Sequence, residues 1–309
     1  MEIVKVRNVN EALPIGIALL KEGGKKRSSR AGIVLEYPEC VATVYTHPRE
    51  RVLFSPVRDA NPFFHFMESL WMLRGQNGVE WLAYYNSRMK EYSDDGKILH
   101  GAYGYRWRNH FNVDQISLII KRLSKDPTDR RCVLQIWDST VDLDSSKVDI
   151  PCNTHVYFKI RGNLLHMTVC CRSNDIIWGA YGANVVHFSM LQEYVAQQLE
   201  LEMGEYVQIS DSYHAYVDVL EKTVAVLKEK ATPYPDLVDI KFPTNWKWKD
   251  FELSELYQRI AHPLEESWRQ WKHFKDVKSA IWAANQIQSD DWKQACVQWL
   301  ERRDKNVPN

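Results

Sequence analysis

The stretch PCNTHVYFKIRGNLLHMTVCCRSND, Pro151 to Asp175, decides the fold. His155 to Ile160 alternates in character and so does Leu164 to Ser173, which is the period of a half-buried strand. Arg161-Gly162-Asn163 between them is a hairpin turn. A two-residue turn at Gly162-Asn163 sets Cys152 opposite Ser173, whereas a three-residue turn centred on Gly162 sets it opposite Arg172. In either register one cysteine, behind a proline, lies beside Arg172 and Ser173 near one end of the hairpin. A guanidinium close to a thiol favours the thiolate, which is the nucleophilic form. Arginine with a serine hydroxyl also makes a phosphate clamp. The alternative is a buried cysteine beside a structural arginine, and spacing alone does not choose between them.

Outward from the hairpin, 309 residues at 45% hydrophobic and 26% charged can bury one large domain, or a domain with an appendage. Net charge is zero, so there is no electrostatic footprint for non-specific nucleic-acid or membrane-surface binding. Cys40, Cys132, Cys152, Cys170, Cys171 and Cys296 form no CxxC pair, so neither a structural zinc site nor a disulfide framework is expected. The apolar run Ala12 to Leu20 is too short to span a bilayer and contains Pro14 and Gly16. The expectation is a soluble, unexported, cytoplasmic protein with no metal.

Along the chain, Glu11 to Glu22 reads as a helix capped by Asn10, followed by the basic loop Lys25 to Arg30, a solvated surface or an anion site. Ile33 to Tyr45 reads as strand broken at Pro38. Asn61-Pro62 opens a helix, Phe63 to Arg74, closed by Gly75. Glu68 interrupts its apolar run; it sits either at an exposed edge or buried with a partner, and burial would suit it to proton transfer. Val79 to Tyr92 reads as an aromatic helix, Gly101 to Trp107 as a glycine-punctuated loop and Val113 to Ser124 as an amphipathic helix. Cys132 to Trp137 reads as a buried strand. After the hairpin come a loop, Gly179 to Asn184, a helix, Val185 to Leu199, and a short strand, Tyr206 to Ile209. Asp211 to Tyr216 then leads into a helix, Val217 to Lys230. Around Pro233 and Pro235 the chain turns polar, helical and Trp-rich, which divides it into residues 1–232 and an extension, residues 233–309, packed on them.

In this order and spacing, Arg130-Arg131, Pro151-Cys152, Arg172-Ser173-x-Asp175, Gly179, Asn184 and His214-x-Tyr216 resemble the thymidylate synthase family, which includes the pyrimidine-nucleotide hydroxymethylases. Glu68 with Leu70-Trp71 and Leu73, Tyr103-Gly104 with Trp107, and Arg30 before a glycine also fit, so the resemblance spans roughly Arg30 to Leu220. It implies an α/β (α+β) fold, a twisted mixed sheet with helices on one side, two copies packing sheet to sheet as a homodimer with shared active sites. It implies nucleophilic addition of Cys152 to C6 of a pyrimidine nucleotide, with 5,10-methylenetetrahydrofolate as one-carbon co-substrate. Glu68 would organise proton transfers and their water, and Tyr103 would sit near the thiol. Arg30, Arg172 and Ser173 would hold the phosphate, with Arg130 and Arg131 joining from the other subunit. His214 and Tyr216 would bind the sugar hydroxyl, Asp175 the pterin, and Asn184 the pyrimidine edge.

Three departures bear on the outcome. Asn153-Thr154 follows the cysteine where synthases typically carry histidine. The tryptophan that shields their methylene intermediate cannot be placed, Tyr85 and Tyr92 being the nearest aromatics. Arg302 to Asn309 does not resemble their closing tail. All three favour water over hydride as the final acceptor, hence C5 hydroxymethylation. Asn184 favours dUMP over dCMP, since an amide can accept from N3–H and donate to O4. An ordinary thymidylate synthase is the nearest alternative, and a non-catalytic nucleotide- or RNA-binding regulator the more distant one. His187, a turn after Asn184, either modifies that reading of the base or is a structural helical histidine.

Overall fold

The structure is a computed structural model and describes residues 1–304. Eight strands form one mixed sheet: β1 (Glu2–Val6), β2 (Lys25–Ser29), β3 (Gly32–Glu36), β4 (Val41–Tyr45), β5 (Val133–Gln135), β6 (Asn153–Arg161), β7 (Leu164–Asp175) and β8 (Glu202–Tyr216). Their order is β1-β4-β8-β7-β6-β5, with β2 paired to β3 and β3 to the end of β8. The β1–β4 and β7–β8 pairs are parallel and the rest antiparallel.

The hairpin forms as its alternation predicts. Arg161 pairs with Leu164, so the loop is the two residues Gly162-Asn163, with Gly162 in the left-handed region at φ +58°. That turn alone would set Cys152 opposite Ser173. A bulge between Asn153 and His155 shifts the register by one, so that Arg172 N–H donates to the Cys152 carbonyl at 2.9 Å. The short turn plus one bulge thus produces the pairing that counting assigns to the longer turn.

Other elements depart from the sequence reading. The first helix, α1 (Val9–Gly23), is capped by Asn8 rather than Asn10, because the Asn8 side chain accepts from the N–H of Asn10 and Glu11. Most of the basic loop is strand β2, zipped to β3, and it holds Arg30 at the hairpin tip beside Gly32 (φ +133°). Asn61 and Gly75 bound α2 (Pro62–Leu73) as expected. The aromatic helix stops early, as α3 (Val79–Tyr85), and continues as a 3₁₀ turn capped by Asn86. Tyr103 to Tyr105 is a helical turn, running on as a π turn, rather than a loop; Gly104 lies against the Met72 backbone with no room for a Cβ. Asp114 caps α4 (Gln115–Lys125), α5 (Asn184–Gln198) falls near its expected place, and α6 (Val217–Thr223) stops short of Lys230 and continues as a 3₁₀ turn to Lys228. The short strand expected at Tyr206 to Ile209 is the middle of β8, whose fifteen residues pair with β7 on one side and with β4 and then β3 on the other.

One face of the sheet packs on α1 and α5 through Val4, Tyr45, Val156, Met167, Val169 and Tyr206, all buried, and α2 packs on α5. The opposite face carries two cross-strand rows, Ile3–Ala42–Ile209–Cys170–His155–Gln135 and Lys5–Val44–Val207–Thr168–Tyr157–Val133. Ile3, Tyr157 and Val133 in these rows are exposed. The C-terminal helices α7 (His262–Arg269) and α9 (Asp290–Glu301) pack on α2, Phe63 meeting Trp268 and Trp299 and Phe66 meeting Trp292, and α8 (Val277–Ala284) packs on α7 and α9. Arg302 and Arg303 pair with Asp59. The rest of the C-terminal segment, residues 305–309, lies outside the described residues. Among the described residues no helix is long and apolar enough to cross a membrane.

Candidate active site

Cys152 stands at the mouth of the β6–β7 hairpin, and two guanidiniums, one from the partner strand β7 and one from the β2–β3 turn, converge on the segment before it. Arg172 donates from Nε to the Pro151 carbonyl at 2.9 Å and from its terminal nitrogen to Ile150 at 3.2 Å. Arg30, at the β2–β3 tip, reaches the carbonyls of Lys147 at 3.4 Å and Val148 at 3.1 Å. The Arg172 guanidinium also lies over the Trp137 ring. Burial pushes the Cys152 thiol above its ordinary value; Arg172 and Arg30 pull it down, and Asp149 adds to the upward push. Arg172 therefore favours the thiolate, as its proximity suggests, but desolvation outweighs it in the free protein.

Behind the thiol runs a chain of buried polar side chains. Gln208 donates to Asn153 Oδ1 at 3.2 Å, Asn153 to Asn184 Oδ1 at 3.3 Å, Asn184 to Asn174 Oδ1 at 3.1 Å and Asn174 to Ser210 Oγ at 2.9 Å. Tyr206 closes the far end by donating to Gln208. Gly179 lies so close that a Cβ would come within 2.8 Å of Asn174 Oδ1, so the glycine lets this chain pass. In low dielectric such a network is stable only when its members are mutually satisfied. It fixes the Asn184 amide: one lone pair and one N–H are used internally and one of each remain.

Glu68 is buried, not at an exposed edge, and its partner is His187: Oε2 lies 3.0 Å from Nε2. Tyr103 lies beside the cysteine. Its ring meets Phe188 at 5.9 Å, and its hydroxyl faces the Asn153 N–H at 3.5 Å. Asp175 pairs in register with His214. Its carboxylate accepts from the N–H of Ile177 at 2.8 Å and Trp178 at 2.7 Å, capping the turn that follows. Burial pushes that carboxyl up against these N–H groups and His214. His214 is buried, with Nδ1 at 3.1 Å from Ser212 Oγ, and its ring meets Tyr216 edge-on. Ser173 pairs with Ser212 next to Arg172.

The chain thus brings together Cys152, Arg172, Ser173, Arg30, Asn184 and Tyr103, with Asp175, His214 and Tyr216 at the shared ends of β7 and β8; Glu68 meets His187, one turn after Asn184 on α5. It does not bring Arg130 and Arg131 to them. Both are exposed just ahead of β5, and Arg131 pairs with Asp129 at 3.0 Å. Of the two aromatics nearest the shielding position, Tyr92 is exposed, and Tyr85 is buried against Trp268. Sequence reasoning missed Asn174, Gln208 and Ser210 as a network. The available signal was the polar pair Gln208 and Ser210 alternating with Val207 and Ile209 on one strand.

The sequence profile of the family described as thymidylate synthase matches residues 24–264. The chain is 44% identical to a deoxyuridylate hydroxymethyltransferase of Pseudomonas phage M6, over 98% of this chain and 95% of that protein. A protein of the same name from Bacillus phage SP01 is 38% identical over 56% of this chain and 48% of its own length. A third, from Delftia phage PhiW-14, is 31% identical over 67% and 63% respectively.

Proposed function

The chain belongs to the thymidylate synthase family, and from that premise we propose that it is a deoxyuridylate hydroxymethyltransferase, which adds a hydroxymethyl group to C5 of dUMP. The observation that carries this reading is the Asn184 amide, held in the buried network one side chain from Cys152. Its remaining lone pair can accept from uracil N3–H and its remaining N–H can donate to O4; cytosine offers the opposite pattern.

In this reading the Cys152 thiolate adds to C6 of the base, which makes C5 a carbon nucleophile. Arg30, Arg172 and Ser173 hold the phosphate, whose charge would also draw the guanidiniums away from the carbonyls of residues 147–151. Tyr103 orients the thiol through the neighbouring Asn153 N–H. Glu68 handles the protons at C5 and at the incoming water. His214 and Tyr216 hold the sugar hydroxyl. Bound 5,10-methylenetetrahydrofolate supplies the one-carbon unit. The Asp175 carboxylate beside the exposed Trp178 ring, itself stacked on Arg58, suits a flat heterocycle bearing N–H donors. The two rows on the open sheet face suit a second copy of the chain, whose Arg130 and Arg131 would complete the phosphate site. The helical part from residue 233 braces α2, and with it Glu68. The protein would work in the cytoplasm of an infected host.

The test is product analysis by mass spectrometry with dUMP, dCMP and CMP, each supplied with methylenetetrahydrofolate. The expected result is 5-hydroxymethyl-dUMP with tetrahydrofolate, and a 5-fluoro-dUMP adduct on Cys152 that Cys152→Ala lacks. A methyl product with dihydrofolate would make the protein a thymidylate synthase. No turnover of any nucleotide, with Cys152→Ala keeping every biological effect, would make it a regulator.

A further inference from the structure

His187 has a burial and a neighbour that packing alone does not explain. It lies one helical turn after Asn184 on α5, hence on the same face and about 5 Å further along the axis. Its side chain is only 2% exposed, and Nε2 lies 3.0 Å from Glu68 Oε2. Yet neither His187 ring nitrogen nor Glu68 Oε2 has an aligned hydrogen-bond partner among the described residues. Three such atoms in one place would cost about 1–3 kcal/mol each if left unpaired. Buried polar neighbours on the same helix spend their donors on the backbone, although Gln192 Oε1 is also left without a partner. Ser189 donates to the Val185 carbonyl, and Gln192 donates to the carbonyls of Leu165 at 2.8 Å and Gly204 at 3.0 Å. His65, one turn before Glu68 on α2, and Arg58 bring two further basic groups toward the pair. The imidazole and the carboxylate thus face each other in a buried recess with hydrogen-bonding capacity unspent, one turn from the side chain proposed to read the base.

We propose that His187 is a positioning residue that acts through Glu68, the two together holding the water that becomes the hydroxyl of the product. The inference rests on the hydroxymethylation reading above. In the step it serves, the base is bonded through C6 to Cys152 and carries a methylene double-bonded to C5. The water oxygen forms a bond to the methylene carbon while Glu68 accepts a water proton. The methylene π pair moves into the ring as the C4 enolate. That enolate re-forms the C4 carbonyl, its ring pair becomes the C5–C6 double bond, and the C6–S bond breaks with its electrons on the Cys152 sulfur. The proton on Glu68 leaves to solvent. No oxidant or reductant is consumed, and the asymmetry toward water over other acceptors comes from where His187 and Glu68 hold it.

The experiment runs wild type, His187→Ala and His187→Gln with dUMP, methylenetetrahydrofolate and 2-mercaptoethanol, a thiol that competes with water for the methylene carbon. Mass spectrometry reads the ratio of thioether to hydroxymethyl product. The 5-fluoro-dUMP adduct, which forms before water enters, reports an intact fold and thiol. Expected is an adduct in both variants, a ratio raised about 10-fold or more in His187→Ala, and partial return in His187→Gln, whose amide can still donate toward Glu68. An unchanged ratio in a variant that forms the adduct overturns the proposal. So does loss of the adduct in both variants, since His187 would then be needed for the fold or the thiol. A wild-type protein that makes methyl product and dihydrofolate sinks the hydroxymethylation reading itself, before any variant is compared.

Discussion

Two buried carboxylates, Glu68 at the candidate active site and Asp291 in the C-terminal helices, have opposite surroundings. Asp291 accepts from Ser289 Oγ at 2.6 Å, from the Trp292 N–H at 2.8 Å and from the Tyr234 hydroxyl at 3.0 Å. Tyr234 in turn receives the Val52 N–H at 3.0 Å, so this carboxylate ties α9 to the chain after β8 and to the stretch before α2. Glu68, buried nearly as well, has only a misaligned imidazole facing Oε2. A carboxylate whose lone pairs are filled by the fold serves the fold, and one whose capacity is left open is available to something that arrives.

The largest effect expected from this contrast is on activity. Glu68→Gln keeps the size of the side chain and removes the charge, so turnover of dUMP should fall by about 10²- to 10⁴-fold, the usual worth of a positioned acid–base group. Its thermal midpoint should stay at or above wild type, because no satisfied hydrogen bond is lost. Steady-state kinetics and a melting curve on one preparation measure both. The converse variant, Asp291→Ala, strips acceptors from three donors and should lower stability by about 2–4 kcal/mol in urea unfolding. Turnover per folded molecule should stay near wild type. If Asp291→Ala lost its activity without unfolding, or Glu68→Gln melted early, the distinction between the two carboxylates would fail.

The same contrast explains what could be read from sequence. Alternation, a Gly-Asn turn and the Asn61-Pro62 and Gly75 punctuation are local, and the hairpin and α2 follow from them. The β6 bulge is not local. Nothing in Asn153-Thr154-His155 announces it, yet it decides that Arg172 rather than Ser173 faces Cys152. The length of β8 was hidden because Gln208 and Ser210 interrupt an apolar pattern, and they do so to satisfy Asn153 and Asn174 from another strand. Candidate residues such as Cys152, Arg172 and Asn184 came from spacing joined to resemblance. The spacing from Asn184 singles out His187, but not its partner, since a lone histidine on an apolar helix carries no signal of one until α2 sets Glu68 against it. Of the tryptophans after Pro235, Trp268, Trp292 and Trp299 are buried and Trp248 and Trp282 are exposed; the partners of the buried ones, Phe63, Phe66 and Tyr85, lie about two hundred residues earlier.

Between the two extremes stands Glu265 on α7, in a cleft of about 670 Å³ walled by Trp81, Tyr84, Tyr85 and Tyr257. Burial pushes its carboxyl up to about 6, against the Tyr257 hydroxyl at 3.3 Å and the Arg74 guanidinium. The folded protein therefore holds this proton more tightly than the unfolded chain, whose carboxyl keeps its ordinary value of 4.5. Below 4.5 both states are protonated and the group is neutral in the balance. As pH rises from 4.5 through 6 the unfolded chain gives up its proton first, so stability falls, and above about 6 the loss is complete. Glu265→Gln, fixed in the neutral form, should exceed wild type by about 1–2 kcal/mol at pH 7 to 8 and match it at pH 4. Urea unfolding across that range tests the sign as well as the size. A gain that persisted at pH 4 would trace to packing rather than to the proton, and would remove Glu265 from the series that Glu68 and Asp291 define.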